Sequence, residues 1–178
     1  DGLPILTIIL SNGYEVAENY GYDKNQYFKN LRKLLLYFKN NQKKVILKHH
    51  PNDRIRLYND VKKEFSIFKW VNHNEESNVD LISKAELVIS PMSTLALEVI
   101  FIKKPIMFYN YFNQKKEAFE FFNEIFLELP LLDLSKSYIS NNQLALSGNI
   151  NDFGYDKFIK TKSFKKNFIN FLSRVVDK

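Results

Sequence analysis

The sequence predicts an α/β fold of the Rossmann-like, doubly wound kind: a parallel sheet with helices on both faces. Short apolar runs rich in Ile, Val and Leu recur over residues 4–108, and stretches with helical apolar spacing separate them. The runs are continuously apolar, which is the pattern of strands buried on both sides. Polar loops follow the strand ends, where ligands of such folds bind.

The run over 4–10 is apolar and β-branched and stops at Ser11-Asn12-Gly13, a turn signature, so it reads as a buried strand feeding a loop. Over 24–38, Tyr27, Phe28, Leu31, Leu34, Leu35 and Phe38 recur three and four apart with Lys, Arg and Asn between them, the spacing of an amphipathic helix. Val45, Ile46 and Leu47 form a second strand, followed by the loop His49-His50-Pro51-Asn52-Asp53 and a helix over 55–64. A third strand is read over 65–70, then a polar loop over 72–78, a short helix over 79–84 and a fourth strand over 87–89. Ser90-Pro91-Met92-Ser93-Thr94 opens a helix that runs to about residue 102, and 105–108 is the fifth strand. Beyond Asn110 the alternation weakens: 114–127 reads as helical and 129–150 as irregular, while 163–176 carries Phe164, Phe168, Phe171, Leu172 and Val175 on one helical face.

A chain of 178 residues with 45% apolar composition is sized for one domain with a packed core. It starts at Asp1 and enters a strand within a few residues, so it is expected to be a fragment of a longer, two-domain chain. No apolar run approaches the ~20 residues of a membrane span, and the start lacks the basic-then-apolar pattern of a secretory signal. Cys is absent, which excludes disulfides, thiolate metal sites and a cysteine nucleophile and is compatible with the cytoplasm. Lys and Arg number 26 against 20 Asp and Glu, a net charge of +6. That balance favours anionic partners such as phosphates, nucleic acid or an acidic membrane face, although the abundant Lys and Asn also read as compositional drift over all surfaces.

The three histidines, His49, His50 and His73, make no His-Glu-x-x-His pair, and no calcium-loop repeat of carboxylates occurs, so no metal is expected. A Gly-x-x-x-x-Gly-Lys phosphate loop and a Gly-x-Gly-x-x-Gly fingerprint are also missing, which weakens kinase, NTPase and dinucleotide-cofactor readings.

Lys48-His49-His50-Pro51 follows the second strand directly and lies on the ligand-binding edge. Pro51 restricts His50 to extended backbone, which turns its side chain out at the loop mouth. An imidazole there can donate to a phosphate oxygen or protonate a leaving group; one of two adjacent histidines can equally pack in the core. Ser93 and Thr94 open the helix after the fourth strand, where hydroxyls beside free backbone N–H groups suit a phosphate, while simple capping accounts for one hydroxyl without a ligand. Glu98, one turn on in an apolar helix, suits ribose hydroxyls or needs some other partner. Ser11 and Gly13 allow close backbone approach to a phosphate or make a plain turn. His73 and Asn74, after the third strand, reach base or ribose or are simply a polar loop.

The order strand, K-x-H-P, strand, S-P-x-S-T-x-x-x-E, short helix, K-K-P-I, strand resembles the C-terminal, donor-binding half of GT-B glycosyltransferases. The group it resembles contains bacterial capsule sialyl- and polysialyltransferases, Kdo-type capsule transferases and the CDP-glycerol polymerases of teichoic acid synthesis. The resemblance covers residues 4–109, and two departures stand in it: Lys103 occupies a position where Gly is frequent, and Thr94 is the second hydroxyl of the pair. It implies one half of a GT-B fold and a metal-independent transfer without cofactor. His50 would be the catalytic group, with Lys48, His50, Ser93, Thr94, Ser11 and Gly13 at the donor phosphates and Glu98, His73 and Asn74 at ribose or base. The donor would be a CMP-, CDP- or UDP-linked sugar. A glycan or glycolipid acceptor would be held by an N-terminal domain, so the fragment alone would bind nucleotide weakly and turn over little. Bacterial surface polysaccharide synthesis implies a cytoplasmic protein, with peripheral contact to the anionic inner membrane face and no nucleic acid partner. The stripe Phe164, Phe168, Phe171 and Val175 would lean on that other domain or close this domain's own core. Two rival expectations remain open, a nucleotide-sugar 2-epimerase built from two such domains and a non-catalytic basic binding module.

Overall fold

The computed structural model describes residues 5–9, 21–91, 93 and 95–112. Within them five parallel strands, β1 (Ile5–Ile9), β2 (Lys44–Lys48), β3 (Lys69–Val71), β4 (Leu87–Ser90) and β5 (Ile106–Phe108), make one sheet in the order β3-β2-β1-β4-β5. Helix α1 (Lys24–Asn40) joins β1 to β2, a 3₁₀ turn (Ile55–Tyr58) running into α2 (Asn59–Glu64) joins β2 to β3, α3 (Asn78–Lys84) joins β3 to β4, and α4 (Leu95–Phe101) joins β4 to β5. The chain steps outward from β1 through β2 to β3, then returns to β4 on the other side of β1. Strand order therefore reverses between β1 and β4, the place where open α/β sheets leave a crevice for ligands.

Alternate residues of a strand face opposite sides of the sheet, and β2 shows how both sides are filled. Val45 and Leu47 pack with Tyr27, Leu31, Leu34, Leu35 and Phe38 of α1 and with Leu87 and Ile89 of β4. Ile46 lies in a separate cluster with Val71 and with Leu81 of α3. Helices thus cover both faces, as the continuous apolar runs predict. Each fully buried Leu or Phe stabilises by about 1.5–3 kcal/mol, so the apolar stripe of α1 is what fixes that helix to the sheet.

The helix ends follow from local chemistry. Asp23 caps α1 by accepting the Asn25 N–H at 2.9 Å. At the other end Lys43 N–H reaches Phe38 O at 3.0 Å and Gln42 N–H reaches Lys39 O at 3.1 Å, with Gln42 at φ 52°. This is the paired bonding of a Schellman cap with its left-handed residue. Helix α4 ends the same way: Lys104 N–H reaches Val99 O at 3.1 Å and Lys103 stands at φ 58°. Lys103 thus holds a left-handed backbone that Gly adopts without strain.

One expected strand is shorter than its sequence suggests. Of 65–70 only Lys69 and Trp70 are extended, joined by Val71, while Phe65 closes α2 through its N–H to Val61 O at 2.9 Å and Phe68 N–H turns back to Phe65 O at 3.1 Å. Phe65 and Phe68 stack with parallel rings 6.2 Å apart and fill the core from a turn, and Ile67 is 72% exposed. The two aromatic residues here serve packing from a turn, not a ladder. The helices read over 114–127 and 163–176, the irregular stretch over 129–150 and the stripe Phe164, Phe168, Phe171, Leu172 and Val175 lie outside the described residues. No described helix is long and apolar enough to cross a membrane.

Candidate functional site at the strand ends

Register sets the loops at one level. Lys48 pairs with Val71 on one side and Ile9 on the other, and Ser90 pairs with Phe108. Ile9 and Ser90 stand one residue past the Ile8 and Ile89 pair. All five strands therefore stop on one line, and the loops that follow β2 and β4 rise on either side of β1, about 10 Å apart at two strand spacings.

The loop after β2 splits its two histidines. His49 N–H continues the ladder to Val71 O at 3.0 Å, and its side chain is fully buried. Its ring packs edge-on against Tyr58 at 4.8 Å between centroids and at a tilt against Trp70 at 5.7 Å. Neither ring nitrogen has a hydrogen-bond partner among the described residues, and Nδ1 lies 3.5 Å from Asp53 Oδ2. His50, one residue on, is exposed. Its Nδ1 accepts the Asn52 backbone N–H at 3.2 Å, which in the neutral ring leaves the proton on Nε2. His50 therefore offers an exposed N–H donor on the edge of the sheet that holds the crevice.

Asp53 closes this loop from beneath. Its side chain is 1% exposed. Oδ2 accepts the His50 backbone N–H at 2.8 Å, Oδ1 accepts the Tyr58 hydroxyl at 3.2 Å, and Asp53 N–H returns to His50 O at 2.9 Å. Tyr58 and Tyr27 share a further hydroxyl contact at 3.1 Å. Burial, with the neighbouring Asp53 charge second, pushes the Tyr58 phenol far above its ordinary pKa, so the hydroxyl stays protonated as a donor.

Lys48 has a different placement from that of a free phosphate ligand. It lies on the Ile46 face of the sheet, is buried, and its Nζ donates to the Glu76 backbone carbonyl. Burial lowers its pKa, opposed by the charges of Glu98 and then Glu76. Glu98 is exposed and accepts a hydrogen bond from Asn78 Nδ2 at 3.3 Å. Lys48, Asn78 and Glu98 thus gather between the start of α3 and α4, a grouping invisible from their sequence spacing. The Glu76 carboxyl beside them is held below its usual pKa, first by the hydrogen bond from Lys69.

After β4, Ser90 is buried and its hydroxyl donates to Pro91 O at 2.7 Å. Ser93 is half-buried, and its carbonyl accepts Ala96 N–H at 3.1 Å in the first turn of α4. That helix follows β4 at the same edge of the sheet at which the His50 loop follows β2. His73 and Asn74 are exposed on the turn after β3, where Glu75 accepts the Asn72 N–H at 3.0 Å. They sit three strand spacings from β4, about 14 Å. Ser11, Gly13 and Thr94 lie outside the described residues. No group of three or more His, Cys, Asp or Glu suited to a metal ion occurs among the described residues.

Asp53 is the residue whose importance is hardest to see in the sequence. The signal available is its position three residues after His50 in a His-Pro-Asn-Asp turn, since Asp side chains commonly bond backbone N–H groups nearby.

No protein-family model matches this chain, and no curated protein matches it. Among solved structures it is similar to the crystal structure of UDP-GlcNAc 2-epimerase from Neisseria meningitidis bound to UDP-GlcNAc, with a TM-score of 0.42 and 12% sequence identity. The match covers 100% of this chain and 45% of the epimerase chain, so the chain spans less than half of that protein's length.

Proposed function

We propose that this chain is the donor-binding domain of a nucleotide-sugar-dependent GT-B glycosyltransferase acting in bacterial surface polysaccharide synthesis. The observation that carries this reading is the strand reversal between β1 and β4, flanked at one level by the His50 loop and the start of α4. The two sides are separated by about two strand spacings, a gap that a diphosphate reaches with side chains extending from each side.

In this reading the Nε2–H of His50 donates to a donor phosphate oxygen, and the Ser93 and Thr94 hydroxyls at the positive end of the α4 dipole hold the remaining oxygens. Such donors stabilise the charge that grows on the departing nucleotide phosphate, without the need to reorganise as it forms. Glu98, steadied by Asn78, takes ribose hydroxyls. Lys48 is committed to the Glu76 carbonyl and takes no phosphate. The donor is a CMP-, CDP- or UDP-linked sugar, and the acceptor and base come from a further domain.

Calorimetric titration of the chain with CMP, CDP, UDP and GDP tests the reading. A pyrimidine nucleotide is expected to bind, and His50→Ala to weaken it by about tenfold or more, roughly 1.4 kcal/mol. In the two-domain enzyme His50→Ala should abolish transfer with its melting temperature unchanged; retained transfer refutes the assignment. Release of a free epimerised sugar without acceptor would reassign the chemistry to a 2-epimerase. Salt-sensitive binding to nucleic acid or anionic vesicles that ignores nucleotide would make it a basic binding module.

A further inference from the structure

The geometry points to Asp53 as the residue that positions His50, holding its imidazole in the Nε2–H tautomer at the loop mouth; this rests on the reading of His50 as the phosphate donor. Three hydrogen bonds tie the four-residue turn to itself. Asp53 Oδ2 holds the His50 N–H at 2.8 Å, Asp53 N–H holds the His50 carbonyl at 2.9 Å, and Asn52 N–H holds His50 Nδ1 at 3.2 Å. The first two fix the backbone of His50 from both ends. The third can form only while that backbone is fixed, because it needs the Asn52 N–H aimed at the ring.

Asp53 is in turn fixed by the core. Its carboxylate is buried and accepts from Tyr58, and Tyr58 meets Tyr27 of α1. Tyr27 and Tyr58 are both buried, and His49 packs on Tyr58. A buried carboxylate without such partners would be unstable, so its presence in this turn calls for a purpose beyond closing a loop. The chain of contacts from α1 through Tyr27, Tyr58 and Asp53 ends at the one exposed imidazole beside the crevice. A tautomer set this way makes the exposed nitrogen a donor to an anion instead of an acceptor that would repel it. Asp53 touches no substrate in this scheme; it acts through His50.

The test reads the tautomer directly. The full chain is labelled with ¹⁵N-histidine, and ring ¹⁵N shifts are recorded at a pH where the imidazoles are neutral, with the His50 signals assigned by their loss in His50→Gln. The wild-type protein is expected to show His50 almost wholly as Nε2–H. Asp53→Ala should lower the ratio of the two tautomers by roughly threefold to tenfold, the weight of one lost hydrogen bond, with the far-ultraviolet spectrum unchanged. An unchanged ratio in folded Asp53→Ala overturns the proposal. If Asp53→Ala does not fold, Asp53→Leu decides: it fills a similar volume and removes both acceptors, so the ratio should fall as in Asp53→Ala, and an unchanged ratio there overturns the proposal equally.

Titration of the same samples with UDP and CDP separates this inference from the functional reading. Weaker nucleotide binding in the Asp53 variants, in step with the tautomer shift, supports both. A tautomer shift in a protein whose wild type binds neither nucleotide sinks the donor reading and leaves the positioning of His50 standing. Nucleotide binding that is equal in wild type and Asp53→Ala, with the tautomer unchanged, sinks the positioning and leaves the donor reading standing.

Discussion

Lys103 pays a conformational penalty that a single substitution should relieve. It stands at φ 58°, exposed, as the left-handed residue of the cap that ends α4. For a residue with a Cβ that conformation costs about 1–2 kcal/mol. Lys103→Gly removes it, and returns roughly 0.5–1 kcal/mol to the greater freedom of glycine in the unfolded chain. The net gain is about 0.5–1 kcal/mol, or a rise of a few degrees in Tm for a chain of this size. Gln42, at φ 52° in the cap of α1, is the same device at the end of another helix. The two sites cap different helices, so their effects should add to about 1–2 kcal/mol.

Urea unfolding followed by circular dichroism is the suitable assay, because a pure stability change moves the midpoint and leaves the slope alone. Lys103→Ala is the control: it removes the same charge and long side chain but keeps the Cβ, and should give no gain. A Lys103→Gly midpoint equal to or below that of the parent would refute the reasoning. So would an equal gain from Lys103→Ala, because the effect would then belong to the lysine side chain and not to φ.

Other outcomes are equally definite. Asn30→Leu removes the Nδ2 donor that reaches Tyr111 O at 2.9 Å from inside the core, and should lower stability by about 1–3 kcal/mol in the same urea assay, the cost of a buried carbonyl left unpaired. Tyr58→Phe should cost about 1 kcal/mol by taking away the hydroxyl between Tyr27 and Asp53. Lys48→Met should leave nucleotide affinity within about twofold, since the ammonium is committed to the Glu76 carbonyl; a loss of tenfold by calorimetry, about 1.4 kcal/mol, would return Lys48 to the phosphate site. Burial pushes Tyr109 up to about 12 and raises Tyr58 and Tyr111 further. Folding then retains protons that the unfolded chain releases above pH 10, so stability is fully present below that pH and falls above it. Each tyrosine contributes a slope of about 1.4 kcal/mol per pH unit, and an absorbance titration should show their ionisation arriving together with unfolding.

Much of the fold is legible in the sequence because burial on both faces leaves its mark on the central strand residues. The runs over 45–47 and 87–89 have no polar positions, and a strand without a polar face has only one kind of environment. The third strand misleads for the same reason in reverse. Phe65, Ile67 and Phe68 are residues that strands favour, yet a tight turn suits the core as well when two aromatic rings stack within it. Composition marks Phe65 and Phe68 as core residues but not whether a ladder or a turn delivers them, and it gives no sign that Ile67 is exposed. The left-handed cap at Gln42 was equally hidden, since Gln does not announce a positive φ.

At the site, adjacency along the chain conveys less than parity. His49 and His50 are neighbours of one type, and the strand they follow has a period of two, so one must go inward when the other goes outward. Which is which was decided by the ladder: His49 N–H still bonds to Val71 O, so the strand's alternation persists through His49 and carries it to the Leu47 side with Tyr58. Pro51 supplies no N–H for continued pairing, and the chain turns at once, with Asn52 and Asp53 closing it back on His50. The same parity sends Lys48 to the Ile46 face, where its ammonium meets the Glu76 carbonyl beside Glu98. In K-x-H-P the strand that precedes the loop therefore sets the direction each member takes. The pleat sends Lys48 and His49 to opposite faces, and the turn leaves His50 as the member of the motif free to donate outward.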